Sequence, residues 1–118
     1  MGVPRLLVVD DDATLLKLLR RYLERLGHEV ETATDPHDAL ARYSAEPARY
    51  HLVIVDLTLP GMNGEELLER MRRIDPDLRA LITSGYVYEP QLPEVGFLQK
   101  PFLPEVLAKA VELALKQG

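Results

Sequence analysis

HLVIVDLTLPGMNG, residues His51 to Gly64, is the stretch that decides the fold. His51 to Val55 is short, apolar and rich in β-branched residues, which predicts a buried strand rather than a helix. It stops on one acid, Asp56. Leu57, Thr58 and Leu59 follow, and then Pro60, Gly61, Met62, Asn63 and Gly64, a dense group of turn formers. A carboxylate at the carboxyl end of a buried strand, ahead of a loop and a new helix, stands where open α/β sheets bind ligands.

The pattern repeats on either side of this stretch. Arg5 to Val9 is an apolar run that ends in Asp10, Asp11 and Asp12. Thr14 to Leu26 carries Leu15, Leu18, Leu19, Tyr22, Leu23 and Leu26 at helical spacing, and Gly27 is placed to close that helix. His28 to Ala33 reads as an edge-side strand. Asp35-Pro36 supplies an N-cap and a first-turn proline for a second helix, with Ala39, Leu40 and Tyr43 inward. After the central stretch, Gly64 to Ile74 is a third helix with Leu67, Leu68 and Met71 on one face. Ala80 to Thr83 and Phe97 to Gln99 are two more short strands. From Pro104 a last helix runs to about Lys116, carrying Val106, Leu107, Ala110, Val111 and Leu113 to Leu115. Short apolar strands alternating with amphipathic helices predict a parallel sheet covered on both faces and wound right-handedly. The 118 residues make one domain, 1–118.

Composition excludes several functions. A formal charge of −5 with no basic stripe argues against direct nucleic-acid binding. With no cysteine there is no disulfide, thiolate metal site or catalytic thiol. No apolar run reaches the roughly 18 residues of a membrane span, and no signal-peptide core is seen, so the expected location is cytoplasmic. His28, His37 and His51 have no mutual spacing that suggests a metal site and read as structural or surface residues.

The chemistry gathers at strand ends. Asp10 and Asp11 follow the first strand, Asp56 the third, Ser84 the fourth and Lys100 the fifth, and in a parallel sheet these ends share one rim. Crowded carboxylates repel unless a cation shares their space. Oxygen-only ligands suit a hard ion, Mg²⁺ (or Mn²⁺) before Zn²⁺. A lysine and a hydroxyl beside them suit a phosphoryl group, and an aspartate can accept one as an acyl phosphate. The residues therefore point to Mg²⁺-assisted phosphoryl transfer to or from an aspartate.

LLVVDD (6–11), VIVDLTLPGMNG (53–64), LITSG (81–85) and FLQKPF (97–102), in this order, resemble the receiver domain of two-component response regulators, the CheY-like superfamily. The resemblance covers essentially the whole chain. It implies a flavodoxin-like, doubly wound, five-stranded parallel sheet of order 2-1-3-4-5. It makes Asp56 the phospho-acceptor. Asp11 becomes a direct Mg²⁺ ligand beside Asp10, with the Thr58 carbonyl as a further ligand. Ser84 becomes the hydroxyl that grips the phosphoryl, Lys100 its counter-charge ahead of a cis bond to Pro101, and Phe97 the aromatic switch. Thr83 also offers a hydroxyl; Ser84 is preferred because it lies 28 residues after Asp56, the usual family interval. The implied partners are a sensor histidine kinase or phosphotransfer protein as donor and a downstream protein target, with no membrane and no nucleic acid. Such a domain catalyses its own phosphorylation and dephosphorylation without being a conventional turnover enzyme.

Two departures stand out. Only 16 residues lead from Ser84 to Lys100, several fewer than the family uses, and Pro90 and Pro93 lie among them, so the fourth helix is expected to be shortened, irregular or missing. Asn63 stands where an Asp is common. Tyr86, two residues past the hydroxyl, occupies a position that controls water access in the family, and its bulk implies slow phosphoryl loss. Two other functions compete. One is an unphosphorylated docking module. The other is a haloacid-dehalogenase-type phosphatase using Asp10 and Asp12, for which the required later acids reduce to Glu105 and Glu112. The setting is either a stand-alone regulator or one domain of a longer protein such as a hybrid histidine kinase.

Overall fold

The structure is a computed structural model in which residues 2–116 are described. Five strands, β1 (Arg5–Val9), β2 (Glu29–Ala33), β3 (Leu52–Asp56), β4 (Ala80–Ser84) and β5 (Val95–Gln99), form one sheet of order β2-β1-β3-β4-β5. Every ladder is parallel. Four α-helices connect or follow the strands: α1 (Ala13–Arg25), α2 (Pro36–Ala45), α3 (Gly64–Ile74) and α4 (Pro104–Lys116). A 3-10 turn, Pro47–Arg49, leads into β3.

Side-chain alternation along each strand divides the core into two layers. Leu7, Val9, Val53 and Val55 face α2 and α3, where Ala39, Tyr43, Leu67, Leu68 and Met71 meet them. Leu6, Val8, Leu52 and Ile54 face α1 and α4 and pack on Leu16, Leu19, Leu23, Leu107, Val111 and Ala114. All five residues of β3 are buried, which is why its sequence reads as an unbroken apolar run.

Local signals set the helix ends. Asp12 caps α1, its Oδ1 accepting from the Thr14 and Leu15 N–H groups at 3.1 Å. Asp35 caps α2 through the His37 N–H at 2.6 Å, with Pro36 in the first turn. Asn63 caps α3 by accepting from the Glu66 N–H at 2.8 Å. Gly27 adopts φ +98° just past α1, a left-handed conformation in which a side chain is strained.

The expected inward faces of two helices change. The inward set of α1 is narrower than its leucine spacing suggests: Leu18 and Leu26 are 59% and 46% exposed. The last helix likewise turns Val106 and Leu113 outward. A helix packed on one face of a sheet buries one stripe, and residues that fall off that stripe face water whatever their hydrophobicity. Between β4 and β5 the chain Gly85–Glu94 is irregular, with no helix. The shortened connection, interrupted by two prolines, is an irregular strap lying against α3, as its length and prolines predict.

Candidate functional site

The carboxyl ends of β1, β3, β4 and β5 bring the site together. Asp10 directly follows β1 and Asp56 ends β3; both are buried, at 3% and 7% exposure. Asp11 stands beside them in the open. One carboxylate oxygen from each of Asp10, Asp11 and Asp56 lies within 4.8 Å of the others. Lys100, one residue past β5, reaches across with Nζ 2.7 Å from Asp10 Oδ2 and 3.5 Å from Asp56 Oδ1. Its backbone is pinned as well, since the Lys100 N–H donates to the Ser84 carbonyl at 2.6 Å. The Lys100-Pro101 bond is cis.

This geometry sets the charge state. Burial pushes the Asp56 carboxyl above its ordinary range, the Asp10 charge adds to the rise, and Lys100 holds part of it back. Burial alone would lower the Lys100 ammonium, but its hydrogen bond and attraction to Asp10, with a further contribution from Asp56, outweigh that and hold it above its ordinary value. Lys100 is thus a fixed positive charge between two carboxylates. Asp10 is also held by its neighbours: its Oδ1 accepts the Asp12 N–H at 2.9 Å while its Oδ2 takes Lys100.

The loop after β3 is anchored from beneath. Leu57, Leu59 and Met62 are buried in the α2–α3 layer, Thr58 is exposed between them, and Gly61 turns the chain at φ +82°. Gly64 brings α3 back against the strand it left. A Cβ there would lie 2.3 Å from the Asp56 carbonyl oxygen, and the Gly64 N–H donates to Leu57 O at 2.8 Å. In sequence Gly64 reads only as a turn former; the contact that forbids a side chain exists only once α3 packs on β3.

Both hydroxyls of β4 are buried. Thr83 is the ladder partner of Asp56, and Ser84 sits one step further toward the rim, its Oγ accepting the Tyr86 N–H at 3.1 Å. Tyr86 stands 57% exposed just beyond. Phe97 lies on β5, partly buried against the α2–α3 layer, with its ring centroid 6.3 Å from that of Tyr88. Asp12, by contrast, is committed to capping α1 on the surface. Glu105 and Glu112 are exposed on α4, and Glu112 pairs with Lys116 at 3.0 Å. Three acids and one lysine therefore converge as expected, with a buried serine at the same rim.

The donor set suits a hard cation, because its candidate ligands are carboxylate oxygens, two of them buried, with no sulfur or imidazole among them. Lys100 partly neutralises the cluster without filling the open side at Asp11.

A family model described as response regulator receiver domain matches residues 6–112. The chain is 36% identical over 124 residues to the DNA-binding transcriptional regulator NtrC of Azospirillum brasilense, covering all of this chain and 25% of that protein. It is 28% identical to the chemotaxis protein CheY of Thermotoga maritima, covering 95% of this chain and 98% of that one. The solved receiver domain of the hybrid histidine kinase CckA superposes with a TM-score of 0.86 at 30% identity, covering 95% and 99% of the two chains. The chain spans a quarter to about half of the length of the first curated relatives it matches.

Proposed function

Since the chain belongs to the response regulator receiver family, we propose that it is a phosphoryl-accepting switch in which Asp56 takes a phosphoryl group from the phosphohistidine of a sensor kinase or phosphotransfer protein. The observation that carries this reading is Lys100 Nζ held between Asp10 and Asp56, with Asp11 alongside, at the rim of a parallel sheet.

In the transfer a carboxylate oxygen of Asp56 attacks phosphorus and the bond from phosphorus to the donor imidazole nitrogen breaks. The freed imidazole then takes up a proton from solvent. Positioning and charge neutralisation supply most of the catalysis in such reactions. The Lys100 ammonium offers a donor to the transferring oxygens, and the Ser84 hydroxyl, at the end of the neighbouring strand, would offer a second. Asp10, Asp11, Asp56 and the Thr58 carbonyl would hold Mg²⁺, which when bound neutralises charge on the phosphoryl oxygens. An acyl phosphate at Asp56 places new negative charge and three acceptor oxygens beside Lys100 and Ser84, and a change at these groups biases the surface offered to a downstream protein.

The test is intact-mass spectrometry with Mg²⁺ and acetyl phosphate. The expected outcome is a labile gain of about 80 Da, one phosphoryl group on a carboxylate, which Asp56→Ala abolishes. Ser84→Ala is expected to slow labelling more than Thr83→Ala. An absent adduct, with no binding of beryllofluoride, would replace this reading with the docking module. An adduct retained in Asp56→Ala and lost in Asp10→Ala would point to the hydrolase, although Asp12's engagement as a helix cap leaves that chemistry without its second acid.

A further inference from the structure

The strap Gly85–Glu94 joins two parallel strands without a helix, so its backbone groups need partners from elsewhere. α3 supplies them. Glu65 Oε1 accepts the N–H groups of Gln91 at 2.7 Å and Leu92 at 3.0 Å. Arg72 donates from Nη1 to the Pro93 carbonyl at 2.5 Å. Seven residues apart on a helix, Glu65 and Arg72 lie on one side of α3, roughly 10 Å from each other along its axis. An acid near the start of the helix holds strap donors, and a guanidinium near its end holds a strap acceptor. Below this clip Tyr88 and Leu92 pack on the core with Phe97.

The strap comes near the acidic site at its Glu65 attachment and at its start after Ser84. Glu65 follows Gly64, the residue pressed on the Asp56 carbonyl. At the other end, the strap begins directly after Ser84, and it is the strap's own Tyr86 N–H that engages Ser84 Oγ. That bond spans only two residues, so it orients the hydroxyl through the first turn of the strap. We propose that Glu65 is a positioning residue: its carboxylate tethers the 85–94 strap to α3 and thereby holds the Ser84 hydroxyl in place for phosphoryl transfer to Asp56. The tether itself is independent of the function proposed above; its effect on transfer rests on that reading.

Two readouts on the whole chain test this. In Glu65→Ala the amides of Gln91 and Leu92, followed by NMR hydrogen exchange, are expected to exchange about tenfold faster, the scale set by losing hydrogen bonds to a charged acceptor. Labelling by acetyl phosphate is expected to slow several-fold. Glu65→Gln keeps an acceptor oxygen and is expected to restore most of both. Gln91→Pro attacks the same tether from the strap side, removing one donor after a residue that is itself proline, and its Leu92 exchange and its labelling are expected to fall between wild type and Glu65→Ala. Unchanged amide exchange in Glu65→Ala overturns the tether. Faster exchange with unchanged labelling overturns its link to Ser84. A global loss of protection that Glu65→Gln shares in full would show a merely structural role and overturn the proposal too. Should wild type take no phosphoryl, the function proposed above fails, while the exchange arm still decides the tether.

Discussion

Gly64→Ala tests how rigidly the acid of β3 is mounted. The added Cβ would meet three backbone atoms: Asp56 O at 2.3 Å, Asp56 C at 3.0 Å and Leu57 Cα at 3.1 Å. Ordinary contact begins near 3.4 Å, so either the start of α3 or the end of β3 must move by about 1 Å, and neither is a flexible side chain. Overpacking of this kind costs about 1–3 kcal/mol, and the better helix propensity of alanine returns at most about 1 kcal/mol. A net loss of about 1–2 kcal/mol lowers the melting temperature by about 3–12 °C in a domain of this size. Function is expected to suffer more. The displaced atom is the carbonyl of the acceptor itself, and a 1 Å misplacement of a reacting group can cost about 10²-fold in rate. Thermal melting by circular dichroism and labelling by acetyl phosphate read the two effects. Gly85→Ala, where a Cβ meets nothing within 4 Å, is the control and is expected to stay within about 0.5 kcal/mol of wild type. A Gly64→Ala protein that melts within about 1 °C of wild type and labels at the same rate would refute the claim that backbone contact positions Asp56.

Other outcomes follow from the same structure. Lys100→Met leaves the buried Asp10 and Asp56 carboxylates without their cation. Because Lys100 is itself partly solvated, a loss of about 1–2 kcal/mol is expected, with Mg²⁺ raising the melting temperature more in the variant than in wild type. Asp12→Ala removes the α1 cap and is expected to cost about 1 kcal/mol while labelling at Asp56 persists; loss of labelling there would reopen the hydrolase. Burial and the Glu31 hydrogen bond push the Tyr50 phenol up to about 12, and burial with the Asp75 charge pushes Tyr43 further up. The unfolded chain ionises these groups near pH 10, so their contribution is complete below that pH and fades as pH rises through the folded-state values. Urea midpoints are therefore expected to fall above pH 10, and Tyr50→Phe to flatten the fall. Leu23→Ala, at a fully buried site, is expected to cost about 2–5 kcal/mol, whereas Leu18→Ala, on the exposed side of the same helix, is expected to stay within about 0.5 kcal/mol.

Much of this protein is legible in one dimension because its governing signals are local or periodic. Unbroken apolar runs mark strands buried on both faces, and Asp35-Pro36 and Gly27 mark helix ends by chemistry that acts within one turn. Parallel strands all point the same way, so acids and a lysine just past their ends must share a rim; the meeting of Asp10, Asp11, Asp56 and Lys100 follows from that rule and from the resemblance in four motifs. The remainder rests on contacts between distant segments. Leucine spacing alone could not separate buried Leu23 from exposed Leu18, because the neighbouring sheet selects which stripe of α1 is covered. Gly64 is needed for an approach to Asp56 that appears only when α3 packs on β3. Glu65 and Arg72 look like ordinary helix-surface charges until the helix-free strap runs past them. The sequence states which groups the chain carries and how each short segment turns, while distances across more than a turn belong to the packed molecule.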